Sequence, residues 1–313
     1  MTGAVGRLLL GVGSVILLFV AYQLWGTGIA ESHSQDALRA TFNKELQHAH
    51  ATERTATSTT VASPTTTDDP APTTADPDDG RPVGVLEIPR IGLDKVIVEG
   101  TSTTDLRQGP GHYAGTPLPG QDGNAAIAGH RTTYGAPFYN LDALAVGDPM
   151  TVRTTQGVFT YTVTRSFVVP CQSSACDGPA DIGVIAPSTT PELTLTTCNP
   201  RWSSTSRLIV QAALTRAVVT AAATHPTTTT TTTPAQGRRS LQAATADLAG
   251  SEGDWVPALW WGVGFLAAVV LVALLARRRR QLRWMIYGGG GIGLLVVLFF
   301  FFGAVSPLLP ASF

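Results

Sequence analysis

Three long stretches without a charged side chain, at 8–25, 255–276 and 284–305, constrain this chain more than anything else in it. A hydrocarbon layer of ~30 Å needs roughly 20 apolar residues in a helix to cross it, and each stretch meets that length. The first reads as a retained anchor rather than a cleaved leader, because it exceeds a usual leader core and no small-x-small site follows at once. Arg277, Arg278, Arg279, Arg280 and Arg283 crowd the short segment between the other two. Cationic loops stay on the cytoplasmic side, so 277–283 and the N-terminus are expected inside and everything between the first two spans outside. Trp255, Trp260, Trp261 and Trp284 sit near span ends, where aromatic belts belong.

The spans divide the 313 residues. After an anchor over 1–27, the segment 28–54 carries Leu38, Phe42, Leu46 and Ala49 on one helical stripe, a juxtamembrane helix suited to packing on the domain or a partner. Residues 55–82 are rich in Thr, Pro and Asp and read as a solvated, disordered tether. A second, Thr-rich tether covers 217–254 with an unbroken threonine run at 227–233. The spans at 255–276 and 284–305 follow, and 306–313 is a short outer tail. A formal net charge of −1 gives no basic footprint for nucleic acid.

Only 83–216 has the composition of a globular core. Short apolar strands are expected at 83–88, 95–98, 125–128, 150–154, 159–169, 193–198 and 208–214, separated by Gly and Pro turn signals. Regular strands with little helix between them predict a mainly β domain, an antiparallel or mixed barrel or sandwich.

The strand at 193–198 ends on a cysteine. Leu193 and Leu195 alternate with Thr194 and Thr196, and Asn199-Pro200 stops the ladder after Cys198. Arg207 opens the next strand, so a turn can return its guanidinium to the sulfur. The strand Asn124-Ala-Ala-Ile-Ala-Gly ends on His130. A cysteine, a histidine and an arginine at strand ends suit acyl transfer: imidazole manages protons for a sulfur nucleophile, and arginine holds an oxyanion. A zinc site of His112, His130 and Cys198 lacks tightly paired ligands. A papain-like arrangement would put the cysteine on a helix upstream of its histidine. Of the three cysteines, Cys171 and Cys176 can close a small loop disulfide, leaving Cys198 free.

With these residues in view, Leu-Thr-Leu-Thr-Thr-Cys198 followed by Arg207 resembles the signature of the sortase family. Ala-Ile-Ala-Gly-His130-Arg-Thr resembles its histidine strand, Leu86-Glu-Ile-Pro-Arg-Ile-Gly-Leu-Asp its opening strand, and Gly109-Pro-Gly-His-Tyr-Ala-Gly-Thr-Pro its following loop. Thr-Thr-Cys198-Asn-Pro and His130-Arg-Thr-Thr-Tyr134-Gly-Ala-Pro-Phe138 are most similar to class E. The resemblance implies a closed β-barrel of about eight strands on the outer membrane face. A single N-terminal anchor is common in the family, so the two further transmembrane helices read here after the barrel depart from its usual pattern. It implies a cysteine transpeptidase that cuts a C-terminal Leu-Ala/Pro-X-Thr-Gly sorting signal of an exported protein between Thr and Gly. A thioacyl enzyme would form and pass its acyl group to an amine of a lipid-linked peptidoglycan precursor or to a pilin lysine. Cys198 would be the nucleophile, His130 the acid and base, and Arg207 the oxyanion or substrate stabiliser. Thr196 and Thr197 would line the substrate groove, and Tyr134 would contribute to the choice between Leu-Ala and Leu-Pro. A disulfide at Cys171 and Cys176 would stiffen the variable loop before the catalytic strand. No metal or other cofactor is required by any step. The alternatives are a pilin-polymerising or mainly hydrolytic sortase, or a non-catalytic β-barrel that binds at the surface.

Overall fold

The structure, a computed structural model, describes residues 2–56, 65–67, 70–74, 77–171, 183–219, 255–278, 281 and 283–306. In chain order, α1 (Thr2–Ala21) and a π-helical stretch (Tyr22–Gly26) precede α2 (Thr27–Ala56), β1 (Thr65–Thr67), β2 (Pro82–Ile88) and β3 (Leu93–Glu99). Next come the short helix α3 (Thr103–Leu106), β4 (Gly111–His112), β5 (Asn124–Ala128), β6 (Pro149–Thr154) and β7 (Gly157–Pro170). The chain continues with β8 (Glu192–Asn199), β9 (Ser206–Val219), α4 (Val256–Arg278) and α5 (Arg283–Val305). These elements form two compact units, one from the chain's two ends and one beginning at Thr27.

In the first unit, three helical stretches are long and apolar enough to cross a membrane, one starting at Leu9, one at Val256–Arg278 and one at Trp284–Val305. Their large side chains, Leu266 and Phe300 among them, face outward, which suits an apolar surrounding and not water. Phe19 and Tyr22 meet Phe302 and Phe299 edge-on with ring centroids 5.0 and 5.2 Å apart, and Trp261 stacks on Phe300 at 5.0 Å. The N-terminal helix and the C-terminal pair therefore pack as one bundle.

The second unit is a closed β-barrel. The strand order β9-β7-β6-β2-β3-β4-β5-β8 returns to β9 through a β8–β9 pairing, which leaves no open edge among these strands. Period-2 side chains fill the interior: Leu86 and Ile88 of β2, Ala125 and Ile127 of β5, Val152 of β6, Phe159 and Tyr161 of β7, Leu193 and Leu195 of β8, Leu208 and Val210 of β9. Thr65–Thr67 pairs with the end of β9. Ala71 is buried and bridges to Gln121, and the Pro72 carbonyl accepts a hydrogen bond from Gln156. Part of the segment expected to be a solvated tether thus lies along the barrel, because its backbone, rather than its small side chains, supplies the pairing.

The helix α2 is longer than its hydrophobic stripe suggested and docks on the barrel. Leu38 and Phe42 pack with Val85, Val96 and Val98, the outward residues of β2 and β3. Both faces of these strands are therefore covered, which accounts for their near-continuous apolar sequence. The strand β4 is too short to pair all of β3, and Gln35 takes over at Val96: its amide donates to the Val96 carbonyl at 3.0 Å and accepts from the Val96 N–H at 2.7 Å. Lys95 donates to both carboxylate oxygens of the buried Glu31 at 2.7 and 2.8 Å. Replacing a fully buried Phe by Ala removes its transfer energy and leaves a cavity, about 3 kcal/mol or more. Phe42→Ala should lower barrel stability by about that amount in chemical denaturation, whereas an unchanged midpoint would mean that α2 is only a leash.

Candidate active site

Register places the candidate residues. The strand β5 runs parallel to β8, pairing Asn124 with Glu192 through Ala128 with Thr196. The Gly129 N–H extends this match by donating to the Thr196 carbonyl at 3.1 Å. His130 and Cys198 each lie two residues beyond the last pair, so they leave the sheet at the same level. On the other side β8 is antiparallel to β9, and Cys198 is paired with Arg207. Leu193 and Leu195 face the barrel interior, so Thr194, Thr196 and Cys198 share the outer face. Ala126 and Ala128 lie on that same face of β5, against Tyr113 and Ile185, and His130 continues their parity. Strand pleat and register thus bring the expected residues to one rim.

The Arg207 Nη1 donates to the half-buried Cys198 Sγ at 3.4 Å. The His130 Nε2 is buried and has no hydrogen-bond partner among the described residues. Burial first, and the Arg107 guanidinium second, push the His130 imidazole down to about 4, so it is neutral near pH 7. A neutral ring with a free nitrogen can accept a proton from a thiol or an entering amine.

Sequence reasoning passed over several groups. Arg131 is buried, and its Nη1 donates to the Cys198 carbonyl at 3.2 Å and to Asn199 Oδ1 at 2.8 Å. Asp142 stands 3.1 Å from Arg131 and 2.8 Å from Arg201, which ties the turn after Cys198 to the loop after His130. The signal was the basic residue directly after the candidate histidine. Tyr113 hydrogen-bonds Thr196 through its hydroxyl at 3.0 Å, and burial pushes its phenol up, so it stays protonated.

Other expected residues sit elsewhere. Thr196 and Thr197 are buried, at 4% and 3% exposure. The Thr196 hydroxyl is engaged with Tyr113, and that of Thr197 donates to the Gly129 carbonyl at 2.7 Å, so both pin β8 to its neighbours. Tyr134 does reach the site: its ring lies 5.1 Å from the His130 ring, centroid to centroid, on a left-handed backbone (φ 49°). Its N–H donates to Thr27 Oγ1 of α2. Gly135 next to it has φ 71°, and a Cβ there would come within 2.5 Å of Glu31 Oε2, so the loop needs glycine where α2 approaches it. His112 lies fully buried with Nδ1 2.8 Å from Glu99 Oε2 and Nε2 3.0 Å from the Pro117 carbonyl, a core contact away from the thiol. Cys171 is disulfide-bonded and Cys198 is free, while Cys176 lies outside the described residues. Among the described residues, no three His, Cys, Asp or Glu side chains are grouped to hold a metal.

The depressed imidazole sets a pH dependence. The unfolded chain takes a proton on His130 near 6.5, whereas the folded protein resists it down to about 4. The stability this group contributes is fully present above about pH 6.5 and is lost as pH falls through that window. Acidifying from about pH 7 to 4.5 should lower the melting temperature of the wild type more than that of His130→Asn. Parallel curves would show that the ring is not held neutral. Alkylation after denaturation without reductant should label Cys198 and leave Cys171 unlabelled.

Residues 86–215 match the family model described as a sortase domain. Sortase SrtE1 of Streptomyces coelicolor is 32% identical over 217 residues, 66% of this chain and 55% of that protein. Sortase SrtE2 of the same organism is 29% identical over 222 residues, 67% of this chain and 81% of that protein. The chain thus spans little more than half the length of SrtE1. Among solved structures, sortase E from Streptomyces avermitilis is 38% identical, covering 44% of this chain and 91% of its own, with a TM-score of 0.38. The barrel that carries Cys198, His130 and Arg207 is thus matched as a sortase domain, and the chain is similar to the class E sortases SrtE1 and SrtE2.

Proposed function

We propose that this protein is a membrane-anchored cysteine transpeptidase that joins exported proteins to an amine of the cell envelope. The observation that carries the reading is the Arg207 guanidinium on the Cys198 sulfur, at the same barrel rim as an imidazole whose Nε2 has no partner among the described residues. In the first half-reaction His130 takes the thiol proton and the sulfur attacks the carbonyl carbon of the scissile Thr-Gly bond. Arg207 N–H groups then hold the oxyanion. The C–N bond breaks as the imidazolium returns its proton to the leaving amine, which leaves a thioester on Cys198. In the second, an entering amine gives a proton to His130 and attacks the thioester, and the sulfur departs to regain that proton.

The domain at 83–216 is the catalytic unit in this reading, outside the plasma membrane, with the N-terminus and 277–283 inside. The Arg-rich segment between two apolar helices supports that orientation. Sorting signals of the Leu-Ala-X-Thr-Gly or Leu-Pro-X-Thr-Gly kind are the substrates, and a lipid-linked peptidoglycan precursor or a pilin lysine supplies the amine. Tyr134 is the residue expected to feel the position that differs between the two signals, and its contact with the His130 ring supports that reading.

Intact-protein mass spectrometry of the full chain in detergent, with both signal peptides, tests the reading. A thioacyl adduct on Cys198 is expected, absent in Cys198→Ala and discharged by added amine. Loss of a preorganised oxyanion donor costs roughly hundredfold, so Arg207→Ala should slow acylation by about that factor. A folded protein that forms no adduct with either peptide would contradict the assignment.

A further inference from the structure

Arg107 has no work in the fold. It caps the short helix α3 with a backbone N–H to the Asp105 carbonyl, a role that any residue fills. Its side chain is half-buried and, among the described residues, makes no salt bridge. Its Nε is shut away from solvent with no hydrogen-bond acceptor among the described residues. A guanidinium N–H shut away without an acceptor is costly unless a ligand completes it. Neighbouring cations at this rim have charged or sulfur partners: Arg131 has Asp142, though its Nε too lacks an acceptor among the described residues, and Arg207 has the sulfur of Cys198.

The position of Arg107 says what it faces. Its Cζ lies 5.6 Å from the centroid of the Tyr134 ring, and that ring lies 5.1 Å from the His130 ring. Its charge is felt at His130, where it opposes protonation. The guanidinium is thus on the histidine side of the site, whereas Arg207 serves the sulfur. The group that must approach His130 in the second half-reaction is the entering amine.

We propose that Arg107 is the carboxylate-binding element of the acceptor subsite, which makes the natural acceptor an amino-acid amine with a carboxylate close to its reacting nitrogen. The inference rests on the transpeptidase reading above. Planar guanidinium donors match a carboxylate in a bidentate fork, and stacking on Tyr134 holds that plane in place. With the carboxylate seated there, the amine nitrogen lies next to His130, gives it a proton and attacks the Cys198 thioester. The C–N bond forms, the C–S bond breaks, and the sulfur takes the proton back from the imidazolium. An acidic side chain in the sorting signal is the other carboxylate that could reach Arg107, and it would act on the first half-reaction instead.

The test uses the full chain in detergent with a neutral signal peptide, and glycine and glycinamide as acceptors that differ only in the carboxylate. The readout is the ratio of kcat/KM for transfer to glycine over glycinamide, which does not depend on overall activity or on the folded fraction. A charge-assisted pair of this kind is worth about tenfold, so Arg107→Gln should lower the ratio by about that factor. Arg107→Lys should recover only part of it, because an ammonium cannot fork. A ratio equal in wild type and both variants would overturn the subsite. An Arg107 effect seen only in acylation, and only with an acidic residue at X, would overturn it in favour of the signal's carboxylate. If the wild type forms no thioacyl adduct, the transpeptidase reading itself falls. If it forms the adduct and only hydrolyses it with both amines present, the acceptor subsite alone falls.

Discussion

The arrangement depends on the double pairing of β8. This strand closes the barrel by running parallel to β5 on one side and antiparallel to β9 on the other. Its inward residues, Leu193 and Leu195, fix the register through the core, since a one-residue slip would turn them outward. Fixing that register also fixes which face Cys198 takes and which residues stand opposite it. Thr194, Thr196 and Thr197 hold it laterally by hydrogen bonds to Asn124, Tyr113 and Gly129. The site therefore needs no active-site helix: its precision comes from a sheet that cannot slide.

Charge then divides the rim into parts with separate tasks. Arg207 lies against the sulfur, where an oxyanion would develop. Arg131 and Arg201 share Asp142 and bind the two site loops together. Burial, and secondarily Arg107, keep His130 neutral near pH 7, ready to accept protons rather than locked in a resting ion pair. The loop that carries Tyr134 is braced from outside the barrel by α2, through Thr27 and the approach of Glu31 to Gly135. The juxtamembrane helix expected to pack on the domain or a partner thus also supports the site.

Much of this was legible in the sequence, for identifiable reasons. Period-2 patterning and Gly/Pro punctuation gave the β-domain, and Leu193 to Cys198 followed by a turn and Arg207 placed a guanidinium opposite a thiol. Long uncharged runs gave the three apolar helices. Less visible were features that arise only from long-range pairing. Closure rather than a two-sheet sandwich is decided by β5 meeting β8, a contact between distant segments. Thr65–Thr67 joins β9 through backbone groups, to which composition is blind. The burial of Thr196 turns on what covers the outer face, and Tyr113 comes from a loop far away in sequence. Gln35 and the buried Glu31 lie on the same helix as Leu38 and Phe42, yet they meet the part of β3 that β4 does not pair and the half-buried Lys95. Arg107 gave no signal at all, since a single arginine beside a turn is ordinary until its lack of acceptors is seen.

The central claim is that Cys198, His130 and Arg207 work as one unit. The most direct test is the rate of Cys198 alkylation by iodoacetamide across about pH 5 to 10, in the wild type and in His130→Asn. The account requires coupling: removing the imidazole should change both the rate near neutrality and the shape of the pH profile, in protein that remains folded. Superimposable profiles would show a sulfur indifferent to its supposed partner, and the barrel rim would then be a structural coincidence of strand ends.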